Sequence, residues 1–189
     1  MLGAPYACLE FHDFGIYVDD AATRRVTEFI RGVCPDVVFA PSPRDYMADH
    51  ENAALLVRDA CFRAPVPNYS TRPETTAPPP TKRVPVLYYC DPIGGVDQYG
   101  EPVLPSLLVD ITGVMETKEQ MLACHESQRQ WLQQQHGIDE YIEQMRNWSA
   151  ARGRMVGCDY AEGFRQHLGH AYPADDVLGE LLGELVRRP

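Results

Sequence analysis

The sequence contains no apolar run long enough to cross a membrane. Its hydrophobic stretches all fall short of the roughly 20 consecutive residues that a spanning helix needs. The start of the chain lacks a basic segment followed by a sustained apolar stretch, so we expect no signal peptide. The six cysteines form no Cys-x-x-Cys pair, and most lie in or beside apolar runs, which favours free thiols over a disulfide framework. These absences predict a cytoplasmic, reduced protein with no membrane segment.

Clusters of basic residues are also missing. The 189 residues include 27 acidic and 17 basic side chains, which gives a formal net charge of -10, and the basic residues occur at most as isolated pairs. Such a chain repels polyanions on average. We therefore expect no nucleic-acid partner, and a small molecule is the better expectation for a ligand.

Apolar periodicity predicts alternating strands and helices. The predicted strands cover residues 7–11, 37–40, 86–90 and 107–111. The predicted helices cover residues 22–33, 51–61, 117–135, 138–151 and 177–186. Six prolines between residues 63 and 83 predict a long loop instead. This order is typical of one α/β domain over residues 1–189, with a parallel sheet flanked by helices.

A polar segment follows the predicted strand at residues 37–40 and contains Asp45, Asp49 and His50. Open parallel sheets bind ligands beyond the carboxyl ends of their strands, so an active site is expected here. A histidine that ligates a metal needs its second ring nitrogen fixed by an acceptor, which a nearby carboxylate can supply. An equally good interpretation is that Asp49 caps the following helix while His50 is solvated.

Two further segments contain polar groups that suit a ligand site. Lys118 precedes the run Cys124-His125-Glu126-Ser127-Gln128 on a predicted helix. Tyr160 stands close to Glu162, and a tyrosine beside a carboxylate can present its hydroxyl to a substrate oxyanion. Taken alone, the first segment is better explained as a polar helix face and the second as a strand with one buried aromatic residue.

Taken together and in this order, the three segments resemble the PIG-L/LmbE-like N-acetylglucosaminyl deacetylases, over roughly residues 2–172. The matching pieces are Pro35 to Val38, Asp49-His50, Lys118 with His125-Glu126-Ser127-Gln128, and Gly157 with Tyr160-Ala161-Glu162-Gly163-Phe164. The resemblance implies a Rossmann-like α/β fold. It also implies zinc-dependent hydrolysis of N-acetyl groups from amino sugars or related conjugates.

The resemblance also implies roles for individual residues. His50 resembles a metal ligand, and Asp49 resembles the catalytic carboxylate beside it that orients groups of the site. Tyr160 resembles a catalytic tyrosine that faces the oxyanion. We expect Asp45 and His125 to contact the substrate, with His125 lining the wall of the cleft that holds His50 and Tyr160.

The chain departs from the family pattern at its most characteristic motif. No His-Pro-Asp-Asp run, which supplies the family's other zinc ligands and its general base, occurs in the sequence, and Met47 stands where many members have a histidine. We therefore expect the chain to correspond to the carboxyl-terminal part of the family domain, without its amino-terminal strand and helix. Catalytic zinc normally takes three protein ligands, so we expect an incomplete metal site and impaired hydrolysis by this chain alone.

Three alternatives remain open at this stage. The chain could be a non-catalytic binding or assembly subunit, or it could work as a homo-oligomer or with a complementing chain. A metal site could also be rebuilt locally, because His12 and Asp13 follow the predicted strand at residues 7–11 and could join His50.

The proline-rich segment yields a first testable prediction. We expect limited proteolysis of the native protein to cut first within residues 63–83, because this segment has few apolar residues to anchor it. Mass spectrometry of the earliest fragments locates the cuts. Early cleavage confined to other loops would contradict the prediction.

Overall fold

The computed structural model describes residues 2–72, 77–125 and 140–189, which form a five-stranded sheet flanked by helices. The strands are β1 (Val37–Ala40), β2 (Val86–Cys90), β3 (Leu107–Asp110), β4 (Ala161–Gln166) and β5 (Val186–Arg187). The helices are α1 (Asp20–Val33), α2 (Ala48–Arg63), α3 (Met115–Ala123), α4 (Glu140–Val156) and α5 (Val177–Leu182). The predicted α/β class, with helices flanking a sheet, is confirmed.

The strands lie in the order β1-β2-β4-β3-β5. β1 and β2 pair in parallel, with Ala40 opposite Tyr89. β4 runs antiparallel to β2 and to β3, and β5 runs antiparallel to β3. Parallel pairing, which the sequence predicted for the sheet, therefore occurs between β1 and β2. The carboxyl ends of β1 and β2 lie side by side at one edge of the sheet, so the loops that follow these strands border the same region.

Helices α1 and α2 pack together over one face of β1 and β2. α1 begins after Asp19, whose Oδ1 accepts a hydrogen bond from the Ala22 backbone N–H at 2.7 Å. It ends at Cys34, where φ is 51°. Its buried stripe of Ala22, Val26 and Ile30 packs against α2. The other face of the sheet is covered in part by α5.

Strand β2 is buried on both faces. Leu87 and Tyr89 contact the side that α2 covers, whereas Val86 and Tyr88 contact the cluster that contains Leu178 of α5. This central strand fixes the position of the polar residues that follow it.

The strand predicted at residues 7–11 is wrong, because these residues form no strand. Leu9 and Phe11 instead pack against the cluster between α1 and α2 as part of an irregular segment. Burial of alternate apolar side chains produced the strand-like pattern without pairing to a neighbouring strand. His12 and Asp13, which follow this segment, are exposed.

Three further predictions differ from the structure in their bounds. Within the helix predicted at residues 117–135, α3 ends at Ala123, and residues 126–135 lie outside the described residues. The helix predicted at 138–151 corresponds to α4, which continues to Val156, while residues 138 and 139 are outside the description. The helix predicted at 177–186 stops at Leu182, because Gly183 has φ 56° and Val186 pairs in β5.

The described residues between 64 and 83 form neither helix nor strand, as the prolines predicted. This loop is tied at its base, where the Thr81 backbone N–H donates to the carbonyl of Ala64 at 3.1 Å. No helix in the described ranges has the length and apolar character that a membrane-spanning segment requires.

Gly153 in α4 lies against the turn that precedes β4, which generates a second prediction. A Cβ atom built on Gly153 would lie 2.5 Å from the carbonyl oxygen of Cys158 and 2.7 Å from that of Asp159. In a helix interior, alanine is normally more favourable than glycine by about 1 kcal/mol, but at this position backbone atoms would have to move. We therefore expect Gly153→Ala to lower the free energy of unfolding by about 1–3 kcal/mol in urea titration.

Gly113→Ala is the matched control, because a Cβ there meets no atom within 4 Å. A loss of stability at Gly113 equal to that at Gly153 would contradict the steric explanation.

Candidate ligand-binding and catalytic cleft

Two adjoining cavities lie beyond the carboxyl ends of β1 and β2. The His50 cavity, of about 380 Å³, is lined in part by Ser42, Asp45 and His50. The Lys118 cavity, of about 220 Å³, is lined in part by Lys118, Ser149, Arg152 and Glu162. Both cavities share the walls formed by Cys90, Asp91 and Trp148. We call the two together the strand-end cleft, and it lies at the sheet edge where the sequence predicted a ligand site.

His50 is held by a buried carboxylate from the loop that precedes α2. Its ring Nδ1 lies 2.9 Å from Oδ1 of Asp45, whose side chain is only 4% exposed. The same Oδ1 accepts a hydrogen bond from the Met47 backbone N–H at 3.2 Å, which fixes the carboxylate. The ring of Tyr46 packs edge-on against the imidazole, with centroids 5.5 Å apart. When Nδ1 carries the proton, Nε2 has the free lone pair of a metal ligand or proton acceptor.

Asp49 makes a different contact from the one expected by resemblance. Helix α2 has Met47 at its N-cap without a side-chain hydrogen bond, so the interpretation of Asp49 as the cap is wrong. Oδ1 of Asp49 instead accepts from the Ile16 backbone N–H at 3.3 Å, and Asn52 donates to the Ile16 carbonyl at 2.8 Å. The carboxylate that contacts His50 is therefore that of Asp45.

Tyr160 and His125 are not among the described residues that line the strand-end cleft. The Tyr160 hydroxyl accepts a hydrogen bond from Nη2 of Arg146 at 3.3 Å. His125 is exposed just beyond the end of α3. Lys118, from the same sequence segment as His125, does reach the cleft. Its Nζ lies 2.7 Å from Oε1 of Glu162.

The described residues do not fit a complete catalytic zinc site. No group of three or more His, Cys, Asp and Glu side chains in the described part of the chain is placed to share a metal ion. The local site that the sequence suggested from His12, Asp13 and His50 is therefore not formed. One imidazole with one carboxylate partner falls short of the three protein ligands that catalytic zinc takes, so we assign no metal-dependent step to these residues.

The sequence interpretation missed an ion pair between Asp91, which lines both cavities, and Arg152, which lines the Lys118 cavity. Nε of Arg152 donates to Oδ2 of Asp91 at 2.6 Å, and the side chains of Arg152 and Asp91 are 12% and 5% exposed. Burial raises the pKa of the Asp91 carboxyl, although the guanidinium of Arg152 opposes the rise. Asp91 directly follows β2, so the strand-end rule that singled out Asp45 would also have found it.

A separate cavity of about 310 Å³ lies elsewhere, lined in part by Arg58, His167 and Tyr172. The Tyr89 hydroxyl lies 3.1 Å from Nδ1 of His167, whose ring packs against that of Tyr172 with centroids 4.1 Å apart. Burial raises the pKa of Tyr89 to about 12, so this phenol stays neutral near neutral pH. The side chains of Tyr89, His167 and Tyr172 contact one another, which favours a packing role over ligand binding.

Several solved structures share this fold. A conserved protein from Thermus thermophilus is 25% identical, with a TM-score of 0.65, and the match covers 87% of this chain and 66% of that one. The hydratase GalB, which acts on 4-carboxy-2-hydroxymuconate, from Pseudomonas putida, is 22% identical, with a TM-score of 0.59 and coverages of 87% and 65%. The N,N'-diacetylchitobiose deacetylase from Pyrococcus horikoshii, solved with its inhibitor MPG, is 24% identical, with a TM-score of 0.66 and coverages of 89% and 60%.

These similarities establish the fold, which the chain shares with a deacetylase and a hydratase. The chain spans from 60% to 66% of the length of these three structures. No protein-family model matches the sequence. Because one fold serves two reactions here, the fold alone does not select a reaction, and the function has to be argued from the site.

The ion pair between Asp91 and Arg152 generates a third prediction. Arg152→Met removes the guanidinium from a buried carboxylate, and breaking such a pair costs about 3–5 kcal/mol of folding free energy. The raised pKa of the Asp91 carboxyl means that the folded state binds its proton more tightly than the unfolded state does. The stability that this group contributes therefore falls as the pH rises from the ordinary pKa of aspartate to the raised pKa. We therefore expect the loss in free energy of unfolding caused by Arg152→Met to be smaller in mild acid than at neutral pH.

Urea titration at both pH values measures the deficit. Arg83→Met is the control, because Arg83 and Asp36 form an exposed pair, with side chains 63% and 82% exposed. A deficit in Arg152→Met that is independent of pH would contradict the assigned role of Asp91.

Proposed function

We propose that the strand-end cleft belongs to a zinc-dependent amide hydrolase of the N-deacetylase type, acting on the N-acyl group of an amino sugar or sugar conjugate. The observation that supports this most is the pair of His50 and buried Asp45. Metal-binding histidines in enzymes characteristically have their second nitrogen held by a carboxylate in this way. The resemblance of the sequence motifs and the fold shared with a deacetylase agree with the proposal.

In this proposal the chain contributes only part of the catalytic machinery. His50 would be the residue that holds a zinc ion, and Asp45 would select the tautomer and fix the ring. The remaining ligands and a general base would come from outside the described residues. Asp49 and Tyr160 remain catalytic candidates by resemblance, and His125 remains a substrate-binding candidate.

A second candidate function is a non-catalytic binding subunit. It is favoured by the incomplete donor set among the described residues. Such a subunit would use the cleft to hold a small molecule without hydrolysing it. Metal binding through His50 separates this candidate from the hydrolase.

The fourth prediction concerns zinc binding by this chain. We expect Zn²⁺ to bind weakly and at His50, because a lone imidazole gives far less affinity than a three-ligand site. Titration of Zn²⁺ followed by NMR of the histidine ring signals measures this. Asp45→Asn should weaken binding by about tenfold, because outer partners of metal ligands affect affinity on that scale.

Two variants serve as controls for this titration. Asp49→Asn should leave zinc affinity unchanged, because the Asp49 carboxylate contacts Ile16 rather than His50. His170→Ala removes an exposed histidine outside the cleft and should also have no effect. Zinc binding that is equal in the unmodified chain and in His50→Ala would refute the metal-ligand role. Tight, stoichiometric zinc lost in His50→Ala would instead mean that the chain completes the site itself.

Hydrolysis is tested with an N-acetylglucosaminyl substrate under the same conditions. We expect little or no acetate release from this chain alone. Release that survives both His50→Ala and removal of zinc would contradict the proposed mechanism.

A further inference from the structure

The peptide bond between Arg44 and Asp45 is hydrogen-bonded at both of its ends. Its carbonyl oxygen accepts from the Ser42 hydroxyl at 2.7 Å. Its N–H donates to Oε1 of Glu51 at 3.1 Å, and Glu51 lies in the first turn of α2 directly after His50. Because a peptide group is planar and is bonded to the next Cα, holding both ends of this group fixes the direction in which the Asp45 side chain leaves the backbone.

Arg165 determines which way the Ser42 hydroxyl points. A serine hydroxyl has one proton to donate and two lone pairs that accept. Oγ of Ser42 accepts from Nη2 of Arg165 at 2.9 Å and from the Arg44 backbone N–H at 3.1 Å. With both lone pairs occupied, the single proton is directed to the Arg44 carbonyl. Ser42 is only 1% exposed, so solvent has little access to replace a lost donor.

The guanidinium that holds Ser42 comes from the interior of the sheet. Arg165 lies in β4 opposite Tyr89 of β2, and it is 123 positions away from Ser42 in the sequence. Burial lowers the pKa of the Arg165 guanidinium, and the nearby carboxylate of Asp91 opposes the fall. An arginine keeps its charge in proteins, and a charged N–H makes a stronger hydrogen bond than a neutral one. The loop that contains Asp45 is therefore tied to the sheet by a charge-assisted contact.

The contact between Asp45 and His50 depends on the direction of the Asp45 side chain. Oδ1 of Asp45 lies 2.9 Å from Nδ1 of His50. A displacement of about 0.6 Å would take this distance to roughly 3.5 Å, where a hydrogen bond is effectively lost. The Met47 N–H holds the same oxygen at 3.2 Å, and the Arg44–Asp45 peptide holds the backbone from which the carboxylate extends.

We propose that Arg165 and Glu51 are positioning residues for His50. Arg165 acts through the Ser42 hydroxyl, Glu51 acts through the Asp45 N–H, and together they aim the Asp45 carboxylate at Nδ1 of the imidazole. The inference deepens the proposed function, in which His50 is the metal-binding residue, but the measurement that tests it first needs no metal.

That measurement is ¹⁵N NMR of the His50 ring at mildly alkaline pH, where imidazoles are neutral. In the unmodified chain we expect the ring proton mainly on Nδ1, because the Asp45 carboxylate accepts it there. Asp45→Ala removes the acceptor and defines the change that complete loss of the contact produces. We expect it to lower the ratio of the Nδ1–H tautomer to the Nε2–H tautomer by about tenfold.

Glu51→Met removes the acceptor for the Asp45 N–H and should lower the tautomer ratio about threefold or more. Glu51→Gln keeps a side-chain oxygen that accepts, so it should keep the ratio within about twofold of that of the unmodified chain. A purely structural role of Glu51 would lower the melting temperature of Glu51→Met and leave the tautomer ratio unchanged.

Arg165→Met removes the guanidinium and should also lower the ratio about threefold or more. Ser42→Ala removes the hydroxyl through which Arg165 acts, so it should have the same effect. The double variant should be no worse than either single variant, because both changes break the same contact. Additive effects would mean that Arg165 does not act through Ser42.

Gln166→Met is the matched control on the same strand. Gln166 follows Arg165, its side chain points to the opposite face of the sheet, and its amide donates to the carbonyls of Pro173 and Asp175. The tautomer ratio should not change in this variant. An equal fall in Gln166→Met would show a general disturbance of β4 and would overturn the role of Arg165.

Thermal melts establish that each variant is folded, and Ser42→Ala carries the test of Arg165 if Arg165→Met does not fold. An unchanged ratio in Ser42→Ala removes Arg165 from the proposal. An unchanged ratio in Glu51→Met, or an equal fall in Glu51→Gln, removes Glu51. A ring proton mainly on Nε2 in the unmodified chain would overturn both roles.

Zinc titration of the same variants separates this inference from the proposed function. If the tautomer ratio responds as expected while zinc ignores His50, the positioning roles stand and the proposed hydrolase fails. If zinc requires His50 while the ratio ignores Arg165 and Glu51, the hydrolase stands and the positioning roles fail.

Discussion

The buried ion pair between Asp91 and Arg152 joins three parts of the molecule at the cleft. Asp91 follows the central strand β2, Arg152 belongs to α4, and Nη2 of Arg152 also donates to the carbonyl of Val103 in the segment before β3. Two glycines make this packing possible. A Cβ on Gly95 would lie 2.5 Å from Nη2 of Arg152, and one on Gly163 would clash with Oδ2 of Asp91. Asp91 lines both cavities and Arg152 lines the Lys118 cavity, so the shape of the cleft depends on this pair.

The pair also illustrates what the sequence could and could not predict. Asp45 and His50 are five residues apart, so the approach of a loop carboxylate to a histidine in the first turn of α2 was visible as a local pattern. Asp91 meets Arg152 across 61 positions of sequence, and only the packing of α4 against β4 brings them together. Long-range contacts of this kind leave no periodic signal in a single sequence.

The predictions of secondary structure also succeeded where local sequence determines the element and failed where long-range contacts do. The predicted strands at residues 37–40 and 86–90 match β1 and β2, because both are short runs of apolar, strand-forming residues with loops on either side. The segment at residues 7–11 has a similar alternation, but no neighbouring strand pairs with it, and Phe11 packs on α1 and α2 instead. Whether an apolar pattern becomes a strand depends on a free sheet edge, which is a property of the whole fold.

The likeness to a deacetylase and a hydratase is consistent with a cleft whose position is set by the fold and whose chemistry is set by a few side chains. In this chain the described residues provide an oriented imidazole, a buried carboxylate with one free oxygen and an unpaired indole N–H. Metal-dependent catalysis needs further donors beyond those that the described residues bring together.

We propose that this protein binds a small molecule in the strand-end cleft. Mapping of backbone amide NMR shifts during titration with N-acetylglucosamine tests it without assuming a reaction. We expect the largest shifts at Ser42, His50 and Asp91 and in α4 around Trp148. Shifts concentrated instead around Arg58, His167 and Tyr172, at the separate cavity, would contradict the claim.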